Sequence, residues 1–405
     1  MCALSLVLFL VLRDSGTELT PPELNPPGAG DGVATREDSA GELLDRLDTV
    51  LTDGTRSEML SLALPGDKEA ASRAGELFDN ARALGVSDLS LRYVDEASEQ
   101  PRASEGDATG GGAWAADVEV GWHLEGFEKT SSQMQVSFTF ADTPQGAALV
   151  DTGGPGNPAP LWLLTRLAVD RSDRALVMVS DPADLDEFAS MANQAVRDVK
   201  RVLPGWRGRL VVEVPETQAQ LDQVLGTEPY AYESIAAVTS TVDGSRTPPT
   251  HIFVNPRVFG ALGEAGSQIV MSHEATHVAT NAARSSMEMW VLEGFADYVA
   301  LAHVDLPVSV TASQILAQVH KDGPPDHLPA EHEFDPSEKA LGASYESAWL
   351  VCRFLAEQYG EQRLIRFYNT VDDGRPVDGA FREVLGTSRA AFTRDWQDYL
   401  RDLAR

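Results

Sequence analysis

The sequence predicts an α+β fold in two parts, a small α+β domain followed by an α-rich domain with a small sheet lobe. Three observations carry this. Residues 41–94 show apolar side chains three and four apart. Residues 117–180 contain several short alternating stretches. The chain beyond residue 266 is dominated by long helical patterns.

The 405 residues suffice for two domains plus linkers. Hydrophobic content of 43% against 23% charged is that of a soluble globular protein. The formal net charge of −30 repels phosphate backbones, which excludes nucleic acid as an electrostatic partner. Arginines outnumber lysines 27 to 5, a skew that points to a GC-rich bacterial source. Cys2 and Cys352 form no CxxC site and are poorly placed for a disulfide.

Residues 1–13 hold the apolar run CALSLVLFLVL followed by Arg13. The run is shorter than the roughly 20 residues that span a bilayer. It has no basic leader and no small-residue cleavage site. It reads as a membrane-anchor remnant or a signal remnant, and contact with a membrane is expected through this segment alone. Residues 14–40, rich in Pro and Gly, read as a disordered linker. Together these predict an extracytoplasmic protein, anchored or secreted.

Residues 41–180 form the expected accessory domain. GELLDRLDTVL and KEAASRAGELFDNARALG are helical, and a loose stretch, EASEQPRASEGDATGGG, ends near Gly112. Strands are then expected at DVEVGWHLEGF, QMQVSFTFAD, AALVDT, LWLLTRLAV and ALVMVS. This order of helices and antiparallel strands resembles the curved-sheet domains of the nuclear-transport-factor-2-like class, by topology alone. Nothing in it looks catalytic.

Residues 181–405 form the second domain. DLDEFASMANQAVRDVKRVL is an amphipathic helix, GRLVVEV a strand, ETQAQLDQVLG a helix, and THIFVNPRVF a strand and turn. Residues 273–277 then read H-E-A-T-H. On a helix, positions i and i+4 share a face, so His273 and His277 can converge on one ion. Glu274 points to where a water at that ion would sit, ready to take its proton. The surrounding SQIVMSHEATHVATNA has no proline, no glycine and no further charge, as a buried active-site helix requires. A surface helix would carry charges on its other faces.

A catalytic zinc site uses three protein ligands. A metzincin-like site needs Gly at 280 and His at 283, where this chain has Thr280 and Ala283. Glu293 follows His277 by sixteen residues, in W-V-L-E-G-F-A-D-Y-V-A, and a second helix there can point its carboxylate at the same ion. H-E-x-x-H followed by E-G-F-A resembles the gluzincin peptidases, which include thermolysin-like and aminopeptidase-N-like enzymes. The resemblance implies a zincin-like catalytic domain, one zinc ion per chain, and Glu293 as third ligand. The spacing is shorter than in the aminopeptidase-N-like group and closer to the short bacterial members of the clan.

Asp297, four residues on, is similar in place to the thermolysin-like carboxylate that receives the second N–H of a metal-bound histidine. Its other reading is a solvated helix-surface acid. In S-Y-E-S-A-W-L-V-C-R-F-L-A-E-Q-Y-G, Tyr345 resembles the tyrosine that holds the oxyanion in aminopeptidase-N-like enzymes. Its other reading is core packing at a helix start. The clan's aminopeptidases grip the substrate amino terminus with Gly-x-Met-Glu-Asn, which SIAAVTSTVDGSRTPP lacks.

His303 reads as a helix-end residue and His251 as structural. His320, His327 and His332 lie in a Pro- and Gly-containing stretch read as an active-site lid or rim. The expectation is therefore a zinc metallopeptidase, endopeptidase rather than aminopeptidase, acting on a peptide or protein with Glu274 as general base. The alternative is an inactive zincin-fold binding or scaffold protein.

Overall fold

The structure, a computed structural model, describes residues 31–98, 112–154, 157–335 and 338–405. It is a mixed α+β protein with two sheets and a helical C-terminal region. The apolar segment 1–13 and residues 14–30 of the expected linker lie outside the described residues. Residues 31–40 of that linker are not extended chain: they form the first part of helix α1 (Asp31–Asp53). Ala40, Leu43, Leu44, Leu47 and Leu51 recur at helical spacing and are buried, so one continuous helix supplies this face.

Helix α2 (Arg56–Leu60) opens with a capping box between Thr55 and Glu58. Helix α3 (Lys68–Leu84) is N-capped by Asp67 and ends at Gly85, whose φ of 64° suits a residue without Cβ. Four antiparallel strands follow in the order β1 (Val86–Glu96), β2 (Ala113–Leu124), β3 (Ser132–Thr143) and β4 (Gly146–Thr152). Strand β1 lies within the span expected to be helical: after Gly85 the pattern switches to period two, with Leu89, Leu91 and Tyr93 alternating with polar residues. Along β2, Trp114, Ala116, Val118, Val120, Trp122 and Leu124 all point into the core. Helix α1 packs on β1 and β4, and α3 on β4.

LWLLTRLAV is not a single strand. Leu161–Leu163 form a 3-10 turn, and β5 (Ala168–Arg171) begins later. Strands β5 and β6 (Ala175–Val179) also belong to the second sheet rather than the first. Every residue of β6 is buried, which suits a strand covered on both faces and paired in parallel with β7 (Leu210–Val214). The second sheet runs β5-β6-β7-β9-β8, with β9 (Thr250–Val254) parallel to β7 and β8 (Ala237–Thr241) antiparallel at the edge.

Helix α4 (Leu185–Val202) connects β6 to β7, and α5 (Gln218–Leu225) follows β7. After β9 comes the single turn α6 (Pro256–Phe259) and then α7 (Gly263–Thr280), which packs against α4, β8 and α8 (Met289–Leu301). The chain continues through α9 (Val308–Thr311), α10 (Ser313–Asp322), α11 (Leu341–Tyr359), α12 (Glu361–Asp372), α13 (Val377–Ala380) and α14 (Arg389–Leu403). None of the described helices is long and apolar enough to cross a membrane.

The β2–β3 loop is fastened to the second sheet. His251 on β9 lies between two buried carboxylates, Glu213 Oε1 at 2.7 Å from Nδ1 and Glu128 Oε1 at 3.0 Å from Nε2. Burial opposes a charge on this ring, but the two carboxylates together raise its pKa to about 9. Thr130 Oγ1 donates to Thr247 O at 2.7 Å, and Asp243 Oδ2 accepts from Gln133 N at 2.7 Å.

Candidate metal centre

Helices α7 and α8 bring the ligand residues together. The H-E-A-T-H segment lies in the C-terminal half of α7, with His277 in its last turn, and every residue from Val270 to His277 is buried. Helix α8 enters from Glu288, whose carboxylate accepts two hydrogen bonds from Arg389 on α14 at 3.0 and 2.9 Å. Its close partner is α11. A Cβ on Gly294 would sit 2.4 Å from Ala348 O, so the glycine of E-G-F-A lets the two helix backbones meet.

His273, His277 and Glu293 are each no more than 1% exposed, and their ligand atoms all lie within 4.8 Å of one another. Glu293 Oε2 is 3.1 Å from His273 Nε2 and 3.4 Å from His277 Nε2. Ligands bonded at about 2.0–2.1 Å around a tetrahedral ion stand roughly 3.3 Å apart. The spacing therefore fits a small cation. His277 Nε2 and Glu293 Oε1 have no hydrogen-bond partner though both are buried. Leaving such atoms unpaired costs about 1–3 kcal/mol each, and a cation held between these side chains would provide the missing partner. The group could hold a metal ion.

The electrostatics separate the two glutamates. Burial works against the Glu293 carboxylate, but His277 and His273 outweigh it and hold its pKa down at about 2. The two imidazoles thus favour the anionic form of Glu293. Burial is the largest influence on Glu274 and raises its pKa, placing a carboxyl that can take up a proton beside the ligand group. Its Oε1 is buried without a partner, whereas Oε2 accepts from Thr239 Oγ1 at 2.6 Å. Burial disfavours charge on His273, yet Asp297 and Glu293 raise its pKa to about 10.

Five of the six residues expected from the sequence are thereby assembled: His273, Glu274, His277, Glu293 and Asp297. Asp297 Oδ1 lies 2.7 Å from His273 Nδ1. Tyr345 is the fifth residue of α11, which packs along α8, and its ring stands edge-on to Phe334 at 5.3 Å. Phe334 belongs to the 3-10 turn Glu331–Phe334, which packs on both α8 and α11 within the stretch expected to be a rim.

Two further residues at the site escaped sequence reading. Thr239 reaches Glu274 from the edge strand β8. Asp198 on α4 accepts a hydrogen bond from Ser272 Oγ at 2.9 Å, tying α7 to α4 one residue before His273. Neither has a local signal: a threonine in A-V-T-S-T and an aspartate in an amphipathic helix are ordinary until the tertiary neighbours are known.

No protein-family model matches the chain, and no curated protein sequence matches it.

Proposed function

We propose that the chain is a zinc-dependent peptidase that hydrolyses peptide or protein substrates, cleaving internally rather than from the amino terminus. The observation that carries this reading is the buried His273–His277–Glu293 group standing next to a carboxyl, Glu274, with one oxygen unpaired. Two imidazoles and one carboxylate suit zinc better than calcium or magnesium, which take oxygen ligands in larger number. A zinc ion bound there would act as a Lewis acid on a water and on the scissile carbonyl.

The chain's own groups supply the rest. Glu274 receives a proton at Oε1 and later passes it to the leaving amine. Asp297 accepts from Nδ1 of His273 and so keeps Nε2 free for the ion. Tyr345 is the candidate hydrogen-bond donor to the oxyanion. The absence of Gly-x-Met-Glu-Asn from residues 234–249 supports internal cleavage. The apolar segment 1–13 and the Pro/Gly-rich stretch after it support an extracytoplasmic placement, tethered or secreted.

The test is metal analysis of the purified chain beside His277→Ala and Glu293→Ala, followed by incubation with a mixture of quenched fluorescent peptides beside Glu274→Gln. One zinc per chain, lost in both ligand variants, with cleavage lost in Glu274→Gln, is the expected result. A wild-type chain that takes up no zinc on reconstitution would sink the reading.

A further inference from the structure

We propose that Thr239 is a positioning residue for Glu274, holding one carboxylate oxygen so that the other is presented to the reacting water. The inference rests on the metal-centre reading above. A threonine hydroxyl has one proton to give. Two acceptors are in reach, Glu274 Oε2 at 2.6 Å and the main-chain oxygen of Glu274 at 3.1 Å. The shorter contact has the length of a hydrogen bond to an ionised carboxylate. It occupies Oε2 and leaves Oε1 as the oxygen without a protein partner.

The hydroxyl has little room to move. Thr239 is buried, and its branched Cβ restricts χ1. Strand β8 is in register with β9 at every position, with Thr239 opposite Ile252 and Ser240 opposite His251. His251 is in turn clamped between Glu213 and Glu128. Glu274 is therefore aligned from outside its own helix, by a strand fixed to the body of the protein. A carboxylate anchored only by α7 could rotate about χ3 and present either oxygen.

The experiment compares zinc-loaded wild type with Thr239→Val, Thr239→Ser, Glu274→Gln and the Thr239→Val/Glu274→Gln double variant. Zinc content and the Kd for acetohydroxamate are measured; that ligand chelates the metal and gives its proton to an adjacent carboxylate, so its affinity reports the placement of Glu274 without turnover. We expect one zinc in every variant. Thr239→Val, which keeps the shape and removes the donor, weakens acetohydroxamate about tenfold or more, as for a lost hydrogen bond to a charged group. Thr239→Ser restores most of the affinity, and Thr239→Val adds nothing once Glu274 is Gln. An unchanged Kd in Thr239→Val, a failure of Ser to restore it, or an equal loss in both backgrounds would each assign Thr239 to packing and overturn the proposal. A wild type without zinc would instead overturn the metal-centre reading and this inference with it.

Discussion

Asp297 Oδ1 lies 2.7 Å from Nδ1 of His273, one helical turn beyond Glu293 on the same helix. The geometry fixes the ring: with Nδ1 committed to a carboxylate, Nε2 is the nitrogen left to face Glu293. A carboxylate in this position also makes the imidazole a stronger ligand.

Replacing Asp297 by Ala is therefore expected to lower metal affinity by roughly 10–100-fold while leaving the fold intact. Competition with a chromophoric chelator measures it, and circular dichroism checks the fold. Asp297→Asn keeps an acceptor for Nδ1 but loses the charge, so its affinity should fall between the two. An affinity for Asp297→Ala equal to wild type would mean that the contact does not tune the ligand.

Gly294→Ala tests the contact between α8 and α11. The added methyl would meet Ala348 O at 2.4 Å, far inside contact distance, and the obstacle is backbone, which cannot rotate away. The two helices must separate, at a cost of about 1–3 kcal/mol for an overpacked core. Urea unfolding should show that loss, together with weaker zinc binding, because Glu293 precedes Gly294 directly and moves with it.

His251 predicts an alkaline loss of stability. Its folded pKa of about 9 lies above the unfolded value of about 6.5, so the protonated ring is favoured by folding. The contribution is fully present below about pH 6.5 and is lost as pH rises through 9. The shift corresponds to something on the order of 3 kcal/mol. His273 is also raised in the metal-free chain, so the relevant quantity is the difference between wild type and His251→Gln. Urea unfolding of both from pH 6 to 9.5 should show a gap that narrows with pH. A gap independent of pH would make the Glu128–His251–Glu213 cluster a neutral hydrogen-bond network.

What could be read from the sequence was local. His273, Glu274 and His277 are related by helix geometry, so their spacing selects them; Glu293 and Asp297 lie one turn apart on the next helix, and only the resemblance of E-G-F-A-D to a known motif singles them out. Thr239 meets Glu274 across 35 residues, and His251 meets Glu128 across 123, through sheet register and helix docking that no periodicity encodes. The same limit explains strand membership. ALVMV reads as a buried strand wherever it stands, but its parallel partner β7 lies beyond an intervening helix, and only pairing assigns it to the second sheet. Strand β1 was hidden differently: its alternating Leu89, Leu91 and Tyr93 follow a long helix directly, and Gly85 alone marks the change.

Metal uptake separates the ligands from the base. A ligand that binds only the folded chain stabilises it by about 2.7 kcal/mol at a hundredfold excess over Kd. For a chain of 405 residues that is a rise in Tm of roughly 3 °C. Glu293→Ala should abolish the rise, because it removes the anionic ligand and leaves two imidazoles. Glu274→Gln should keep it, because its side chain lies beside the ligand set and accepts from Thr239 rather than completing the cluster. Differential scanning calorimetry with and without zinc distinguishes the two. If Glu274→Gln lost the rise as completely as Glu293→Ala, Glu274 would be a ligand, and the proton acceptor would have to be sought elsewhere in the site.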